Sequence, residues 1–131
     1  MTGSGVDTSS TLVRATLGLR LLIEIGLFAG IVAAASMNYD GTTVWIASVV
    51  GIVVTAAIWG VFAVPNDPSR SGKTVVVTPG FVRLLVELSL FGVVTAWLVI
   101  GEGYIPAAVL GGATVVHYVS WPARIRWLLR N

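Results

Sequence analysis

Four long apolar stretches alternate with short polar ones along the chain. They cover residues 17–37, 44–64, 81–100 and 105–121. Each is close to the ~20 residues that an α-helix needs to cross ~30 Å of hydrocarbon. None of them alternates apolar with polar residues, which argues against a β-barrel, the other structure that satisfies its own backbone hydrogen bonds in lipid. The pattern predicts an all-α integral membrane protein, a bundle of four transmembrane helices.

Glycine, proline and polar residues separate the four stretches. We expect these connections, residues 36–43, 65–80 and 101–104, to be turns. In the middle connection Thr78 is predicted to cap the third helix and Pro79 to be its first residue, because proline tolerates the first helical position. Only residues 75–77 are expected to be briefly extended there.

The composition agrees with a membrane protein and narrows its chemistry. Hydrophobic residues make up 56% of the 131 residues and charged residues 11%, far from the usage of soluble domains. The length suits a single domain, residues 1–131. With no cysteine and one histidine, we expect no metal site and no cofactor. A net charge of +2 gives no reason to expect a nucleic-acid partner, so the lipid bilayer is the expected partner.

The basic residues lie on one side of the predicted bundle. The connections at residues 36–43 and 101–104 hold no lysine or arginine. Short loops that carry these residues stay in the cytoplasm. We therefore expect a multi-pass protein of the cell membrane with both termini and the middle connection cytoplasmic, and with Asp40 and Glu102 outside. The cationic residues are Arg14, Arg20, Arg70, Lys73, Arg83, Arg124, Arg126 and Arg130.

Both ends of the chain are predicted to stay at the cytoplasmic surface. Residues 1–11 are polar and lack the basic residues that begin a signal peptide, so the first apolar stretch is expected to be retained. At the other end, we expect Arg124, Arg126 and Arg130, together with the neighbouring Trp127, to anchor the terminus at the inner leaflet.

A ten-residue segment occurs twice. Residues 19–28 read LRLLIEIGLF and residues 82–91 read VRLLVELSLF. The two segments begin the first and third helices, which run in the same direction through the membrane. We therefore expect two helical hairpins, repeated in parallel about an axis normal to the bilayer, with the first and third helices facing each other.

Small residues recur at four-residue spacing in two of the helices. Gly26 with Gly30, and Ala108 with Gly112, match the pattern that lets transmembrane helices approach closely. We expect both pairs to mark helix packing rather than a ligand site.

The chain also resembles a known family. The repeated segments, the sequence WGVFAVP at residues 59–65 and the overall length resemble the YrdB-like family of small bacterial four-helix membrane proteins. The resemblance covers roughly residues 19–121. It implies a fold and a membrane location, and it implies no activity, so no catalytic residue follows from it.

Charged residues of the repeat lie inside the predicted membrane region. At ~1.5 Å per residue, Glu24 and Glu87 lie ~10 Å inside the cytoplasmic edge, with Arg20 and Arg83 nearer to it and His117 at about the depth of the glutamates. An unpaired charge at the bilayer centre costs ~2.5–3.5 kcal/mol. These groups must therefore face the interior and pair. Pairs within each helix and pairs between the repeats both remain open.

This polar layer supports two interpretations. In the first, the chain is a structural or interaction protein of the membrane, and ion pairs among Arg20, Glu24, Arg83 and Glu87 hold the hairpins together. The alternative is a small transporter or proton/cation carrier in which Glu24, Glu87 and His117 bind the ion. The arginine beside each glutamate favours the first.

Other functions have less support in the sequence. We expect no enzyme, because no nucleophile with a base and no water-exposed pair of carboxylates is apparent. Self-association, or association with another membrane protein, stays open.

Overall fold

The computed structural model describes residues 8–67 and 74–131, and these form five α-helices and two short β-strands. The all-α prediction is confirmed. Arg70 and Lys73, which contribute to the predicted orientation, lie outside the described residues. The helices are α1 (Thr8–Asn38), α2 (Thr42–Val61), α3 (Gly80–Ile100), α4 (Tyr104–Ser120) and α5 (Pro122–Arg130), and the strands are β1 (Phe62–Ala63) and β2 (Val76–Val77).

Three helices are long and apolar enough to cross a membrane. They are Arg14–Asn38 within α1, α2 and α3, while α4 is apolar but shorter, with 17 residues. Large apolar side chains remain exposed on their outer faces, for example Ile46, Val50 and Val53 on α2. Soluble proteins rarely expose apolar surface of this extent. These features indicate a multi-pass membrane protein.

The helices α1 and α3 lie at the centre of the bundle. They pack against each other, as predicted, and α2 and α4 each contact both of them. Their core residues recur every three or four positions, which places them on one face of each helix. The core cluster consists of Ile23, Leu27, Ile31, Ala34, Phe91, Val94, Leu98, Ala107 and Leu110.

The C-terminal ends of α1 and α3 meet at the turn that leads into α4. The side-chain amide of Asn38 donates a hydrogen bond to the carbonyl oxygen of Trp97 at 3.1 Å. A Cβ atom at Gly101 would lie 2.7 Å from the side chains of Met37 and Asn38. Glycine at this position therefore allows the two helix ends to approach closely.

The second helix is shorter than predicted. It ends at Val61 rather than at Val64, because the chain continues into β1. β1 pairs in parallel with β2, so the brief extension expected in the middle connection is confirmed. The backbone N–H of Thr78 continues the pairing by donating to the carbonyl oxygen of Ala63 at 2.8 Å.

The start of α3 also differs from the prediction. Thr78 does not cap the helix, since its hydroxyl donates to the carbonyl oxygen of Val76 at 3.1 Å. Pro79 is the N-cap residue, with extended backbone angles, and the helix begins at Gly80. The strand pairing holds Thr78 extended, which explains the shift by one residue.

The fourth helix ends at Ser120 and not at Trp121 as predicted. Trp121 leaves the helical region, with φ −123° and ψ 61°, because a proline disfavours helical angles in the residue before it. Pro122 then begins α5, where a first-turn proline is well tolerated. The helix α5 packs on α3. A Cβ at Gly80 would overlap the carbonyl oxygen of Leu128, so the two backbones meet where the side chain is absent.

The small residues of α1 are packed, whereas those of α4 are not. A Cβ at Gly30 would lie 3.1 Å from Val94 and 3.2 Å from Leu110. Ala108 and Gly112 are exposed, and a Cβ at Gly112 would meet nothing within 4 Å. These two residues therefore do not pack within the bundle, because α4 turns a neighbouring face, which includes Leu110, toward the core.

Candidate functional site: a buried cluster of arginines and carboxylates

The two repeated Arg/Glu pairs have the same local geometry. Nε of Arg20 lies 3.0 Å from Oε1 of Glu24, and Nε of Arg83 lies 3.0 Å from Oε1 of Glu87. Each pair joins consecutive turns of one helix. Arg20 also reaches the other repeat, with its Nη2 3.2 Å from Oε1 of Glu87. Pairing within each helix and pairing between the repeats therefore occur together.

Glu87 lies at the centre of the cluster. Its side chain is fully buried, and its Oε1 accepts from Arg20, Arg83 and Arg124 at 3.2, 3.0 and 2.7 Å. Its Oε2 accepts a hydrogen bond from the hydroxyl of Tyr118 at 2.6 Å. Partners on both oxygens offset the cost of removing this charge from water.

Arg83 joins the cluster to the end of α2. Its Nη1 donates to the carbonyl oxygens of Trp59, at 2.7 Å, and of Phe62. Carbonyl groups at the C-terminal end of a helix lack donors within the helix, and a cation there complements the helix dipole. The guanidinium carbons of Arg83 and Arg20 also lie 4.9 and 5.5 Å from the centre of the Trp59 ring, within the range of cation–π attraction.

Arg124 belongs to the cluster, so the prediction that it anchors the terminus in the leaflet is wrong. Its Nη1 lies 3.0 and 3.2 Å from the two oxygens of Asp67, and its Nη2 lies 2.7 Å from Glu87. Burial alone would lower the pKa of Arg124, but the charges of Glu87 and Asp67 and the hydrogen bonds to them raise it above its ordinary value. Arg126 and Arg130, in contrast, are exposed, as an anchor requires.

His117 is buried beside the cluster. It is 1% exposed, and neither ring nitrogen has a hydrogen-bond partner among the described residues. Its ring contacts Tyr118 and Trp121 edge-to-face, with centroid distances of 5.0 and 5.7 Å. The structure thus brings His117 close to Glu87 through Tyr118 without a bond between the two.

Glu24 is the least buried acidic residue of the cluster. Its side chain is 29% exposed, whereas that of Glu87 is fully buried. The repeated sequence gave no reason to treat the two glutamates differently. Their surroundings differ because, among the described residues, side chains of α4 and α5 donate hydrogen bonds to Glu87 and not to Glu24.

Three members of the cluster were missed by the sequence analysis, namely Asp67, Tyr118 and Arg124. Tyr118 follows His117 directly, and that position was its only signal. For Arg124 the signal is Pro122, which interrupts the fourth helix and lets the chain turn back under the bundle. Asp67 had no signal, because its partner is distant in sequence.

The charges of the cluster members that the structure describes balance. A balanced, hydrogen-bonded set of charges can be buried, but removing one member leaves another without a partner. Among the residues that the structure describes, no group of three or more His, Asp or Glu side chains is placed to hold a metal. The arrangement is suited to joining helices. Its members are the cations Arg20, Arg83 and Arg124 and the carboxylates Glu24, Glu87 and Asp67.

Comparisons with known proteins agree with the predicted resemblance. A family model described as "Protein of unknown function (DUF2568)" matches residues 18–117. The chain belongs to this family. It is 33% identical over 126 residues to "Uncharacterized protein YrdB" of Bacillus subtilis (strain 168), an alignment that covers 96% of this chain and 98% of the relative. The similarity thus extends beyond the residues 19–121 expected from the motifs. No solved structure matches the chain.

Proposed function

We propose that the chain is a structural or interaction protein of the cell membrane, with four membrane-spanning helices built from two parallel hairpins. The repeated Arg/Glu pairs on α1 and α3, with equal Nε–Oε1 distances of 3.0 Å, support the duplication. The exposed apolar faces of the helices would contact lipid or another membrane protein. We propose no catalytic role for the chain.

The short fourth helix fits a spanning role. Its 17 residues extend over ~25 Å at ~1.5 Å per residue, a little less than the ~30 Å of a typical hydrocarbon core. A bilayer accommodates such a difference by local thinning at a modest cost. The buried cluster also gives the cytoplasmic end of α4 a polar environment formed by protein, since Tyr118 bonds to Glu87 there.

The arrangement of charges supports cytoplasmic termini. Exposed cations lie near the end of the bundle that holds the cluster: Arg14 on α1, and Arg126 and Arg130 on α5. Asp40 and Glu102 lie in the turns at the other end, and both are exposed. Basic residues remain on the cytoplasmic side of short loops, so we place the cluster end there.

One observation supports the structural role most directly: both oxygens of the Glu87 carboxylate have hydrogen-bonding partners. Three guanidinium groups and one hydroxyl bind its two oxygens. A carboxylate that carries protons or cations must exchange its partners, whereas one bound in this way holds helices together. Through it α1, α3, α4 and α5 are joined, and Arg83 adds the end of α2.

A second candidate, a proton or cation carrier, is favoured by Glu24 alone. Its side chain keeps 29% exposure and is free to change partners more readily than Glu87. In this case the two glutamates would not act as the symmetric pair that the repeat suggested. Glu24 would bind the ion, and Glu87 would remain structural.

Stability and flux measured on the same variants distinguish the two roles. We would compare Glu87→Gln and Glu24→Gln with the exposed-turn control Glu102→Gln, using thermal unfolding in detergent and fluxes of protons and lipophilic cations in proteoliposomes. The structural role gives background flux for the unmodified protein and a large loss of stability for Glu87→Gln. A pH-dependent flux that Glu24→Gln abolishes and Glu102→Gln preserves would establish the carrier instead.

A further inference from the structure

Three cationic or titratable side chains of the cluster retain unused hydrogen-bonding atoms. Nη1 of Arg20, Nε of Arg124 and both ring nitrogens of His117 are buried, and none has a partner among the described residues. The three residues are 6%, 4% and 1% exposed. Buried polar groups nearly always have partners, so their concentration in one place points to a ligand.

These side chains come from three helices and meet beside Glu87. Arg20 on α1 and Arg124 on α5 both bind Oε1 of Glu87, at 3.2 and 2.7 Å. His117 on α4 packs on Trp121, and the centre of that ring lies 5.6 Å from the guanidinium carbon of Arg124. His117 is also close enough to Arg20, Glu87 and Arg124 to interact with their charges.

The unused atoms define the chemistry of the ligand. Arginine N–H groups only donate hydrogen bonds, and a histidine ring supplies one donor when neutral and two when protonated. What this set lacks is an acceptor, and cationic donors bind an anionic acceptor more strongly than a neutral one. We propose that Arg20, His117 and Arg124 form a binding site for a small monovalent anion such as chloride, and that His117 takes up a proton when the anion binds.

The proposed protonation of His117 follows from the charge balance of the cluster. The three arginines and three carboxylates described in the cluster already cancel, so an added anion would leave one uncompensated negative charge in a poorly solvated site. Protonation of His117 restores neutrality and provides another donor. Among the described residues, Arg20 on α1, Glu87 on α3 and Arg124 on α5 act electrostatically on His117, and Tyr118 of its own helix contacts its ring. The other charged members of the cluster are Glu24 on α1, Arg83 on α3 and Asp67.

The burial of the site limits the size of the anion that it can bind. Arg20, His117 and Arg124 are each less than a tenth exposed, so a lipid headgroup or another bulky anion would have to separate the helices. A monatomic ion would not. The site goes beyond the structural role proposed above, because a chain that only joins helices needs no anion.

The test is a chloride titration of the purified full chain in a neutral detergent. Thermal unfolding is compared in sodium chloride and sodium gluconate of equal ionic strength, at about pH 5.5 and about pH 8, the range in which histidine titrates. Binding to the folded state raises the unfolding temperature. We expect chloride to stabilise the protein over gluconate at the lower pH, with an affinity that falls up to about tenfold for each pH unit above the titration of His117.

Two variants test whether the stabilisation by chloride arises at the proposed site. In His117→Gln, which keeps a hydrogen-bonding side chain but cannot be protonated, the pH dependence of chloride binding should disappear. The control is Thr114→Val on the same helix, whose buried hydroxyl donates within the helix, to the carbonyl oxygen of Leu110 at 2.7 Å. This variant should retain the unmodified response.

Calorimetric titration of the unmodified protein with bromide provides a measurement that does not depend on any variant folding. Heat of binding at about pH 5.5, and much less at about pH 8, supports the site. Equal unfolding temperatures in chloride and gluconate at the lower pH, or an unchanged pH dependence in His117→Gln, would overturn it. The flux and stability measurements on Glu24 and Glu87 are separate, so failure here leaves the structural role standing.

Discussion

The two copies of the repeat share a local geometry but differ in their surroundings. In both, an arginine Nε lies 3.0 Å from the glutamate four residues later. Yet the side chain of Glu24 is 29% exposed, and that of Glu87 is fully buried beneath three guanidinium groups and a tyrosine hydroxyl. The sequence of the segment sets the pair, and the parts of the chain outside the repeat set its environment.

Those parts are the fourth helix, the fifth helix and the middle connection. Tyr118 comes from α4, Arg124 from α5, and Asp67 from the residues after β1. In the part of the chain that the structure describes, none of them has an equivalent bonded to Glu24. Two copies of one segment can therefore form sites of different chemistry, because each copy is completed by different neighbours.

The largest expected difference between the copies is in stability. Glu87→Gln should lower the free energy of unfolding by about 3–5 kcal/mol, because it leaves buried arginines without their counter-charge. Glu24→Gln should cost less, about 1 kcal/mol, because the ion pair described for Glu24 is with Arg20, and Arg20 keeps its contact with Glu87. Denaturant unfolding in mixed micelles measures both. Equal losses for the two variants would mean that the burial of Glu87 has no energetic consequence.

The next largest effect on stability should come from the contact between α5 and α3. Gly80→Ala places a Cβ against the carbonyl oxygen of Leu128 and should cost about 2–3 kcal/mol, as overpacking does. The matched control is Gly92→Ala on the same helix, where a Cβ meets nothing within 4 Å. This control should be neutral or stabilising by up to ~1 kcal/mol, because alanine favours helix.

A double-mutant cycle links that contact to the difference between the glutamates. If α5 buries Glu87, then Gly80→Ala should reduce the cost of Glu87→Gln, and should leave the cost of Glu24→Gln unchanged. Additive effects of Gly80→Ala and Glu87→Gln would show that α5 does not determine the environment of Glu87.

The smallest effect concerns the hydroxyl of Tyr118, which donates a hydrogen bond to Glu87 and has no counterpart at Glu24 among the described residues. Tyr118→Phe removes a hydrogen bond of 2.6 Å to a charged acceptor and should cost about 1.5–3 kcal/mol, near the lower end of this range because the arginines remain. Tyr104→Phe, at an exposed position on the same helix, should have no measurable effect. Indistinguishable unfolding curves for these two variants would contradict the assigned bond.

The features that the sequence predicted correctly depend on local or repeated patterns of residues. The apolar stretches predicted the helices, and the four-residue spacing of Arg20 with Glu24 and of Arg83 with Glu87 placed each pair on one helix face. The helix ends at Val61 and Ser120 were misjudged, because a strand pairing and a proline decide them.

The unpredicted part of the site depends on distant contacts. Arg124 and Asp67 are 57 positions apart, and neither carries a local pattern that points to the other. Their bond follows from the turn at Trp121 and from the close approach of α5 to Gly80. Pro122 signals the turn in the sequence, whereas the close approach of α5 to Gly80 is visible only after the chain has folded.

The most direct test of the account is the orientation of the chain in a membrane. The chain has no cysteine, so single cysteines at Asp40, Glu102 and Asn131 can be labelled in intact cells with a reagent that does not cross membranes. We expect labelling at Asp40→Cys and Glu102→Cys, and labelling of Asn131→Cys only after the cells are opened. Labelling of Asn131→Cys in intact cells, or protection of either turn, would contradict four crossings with the charged cluster on the cytoplasmic side.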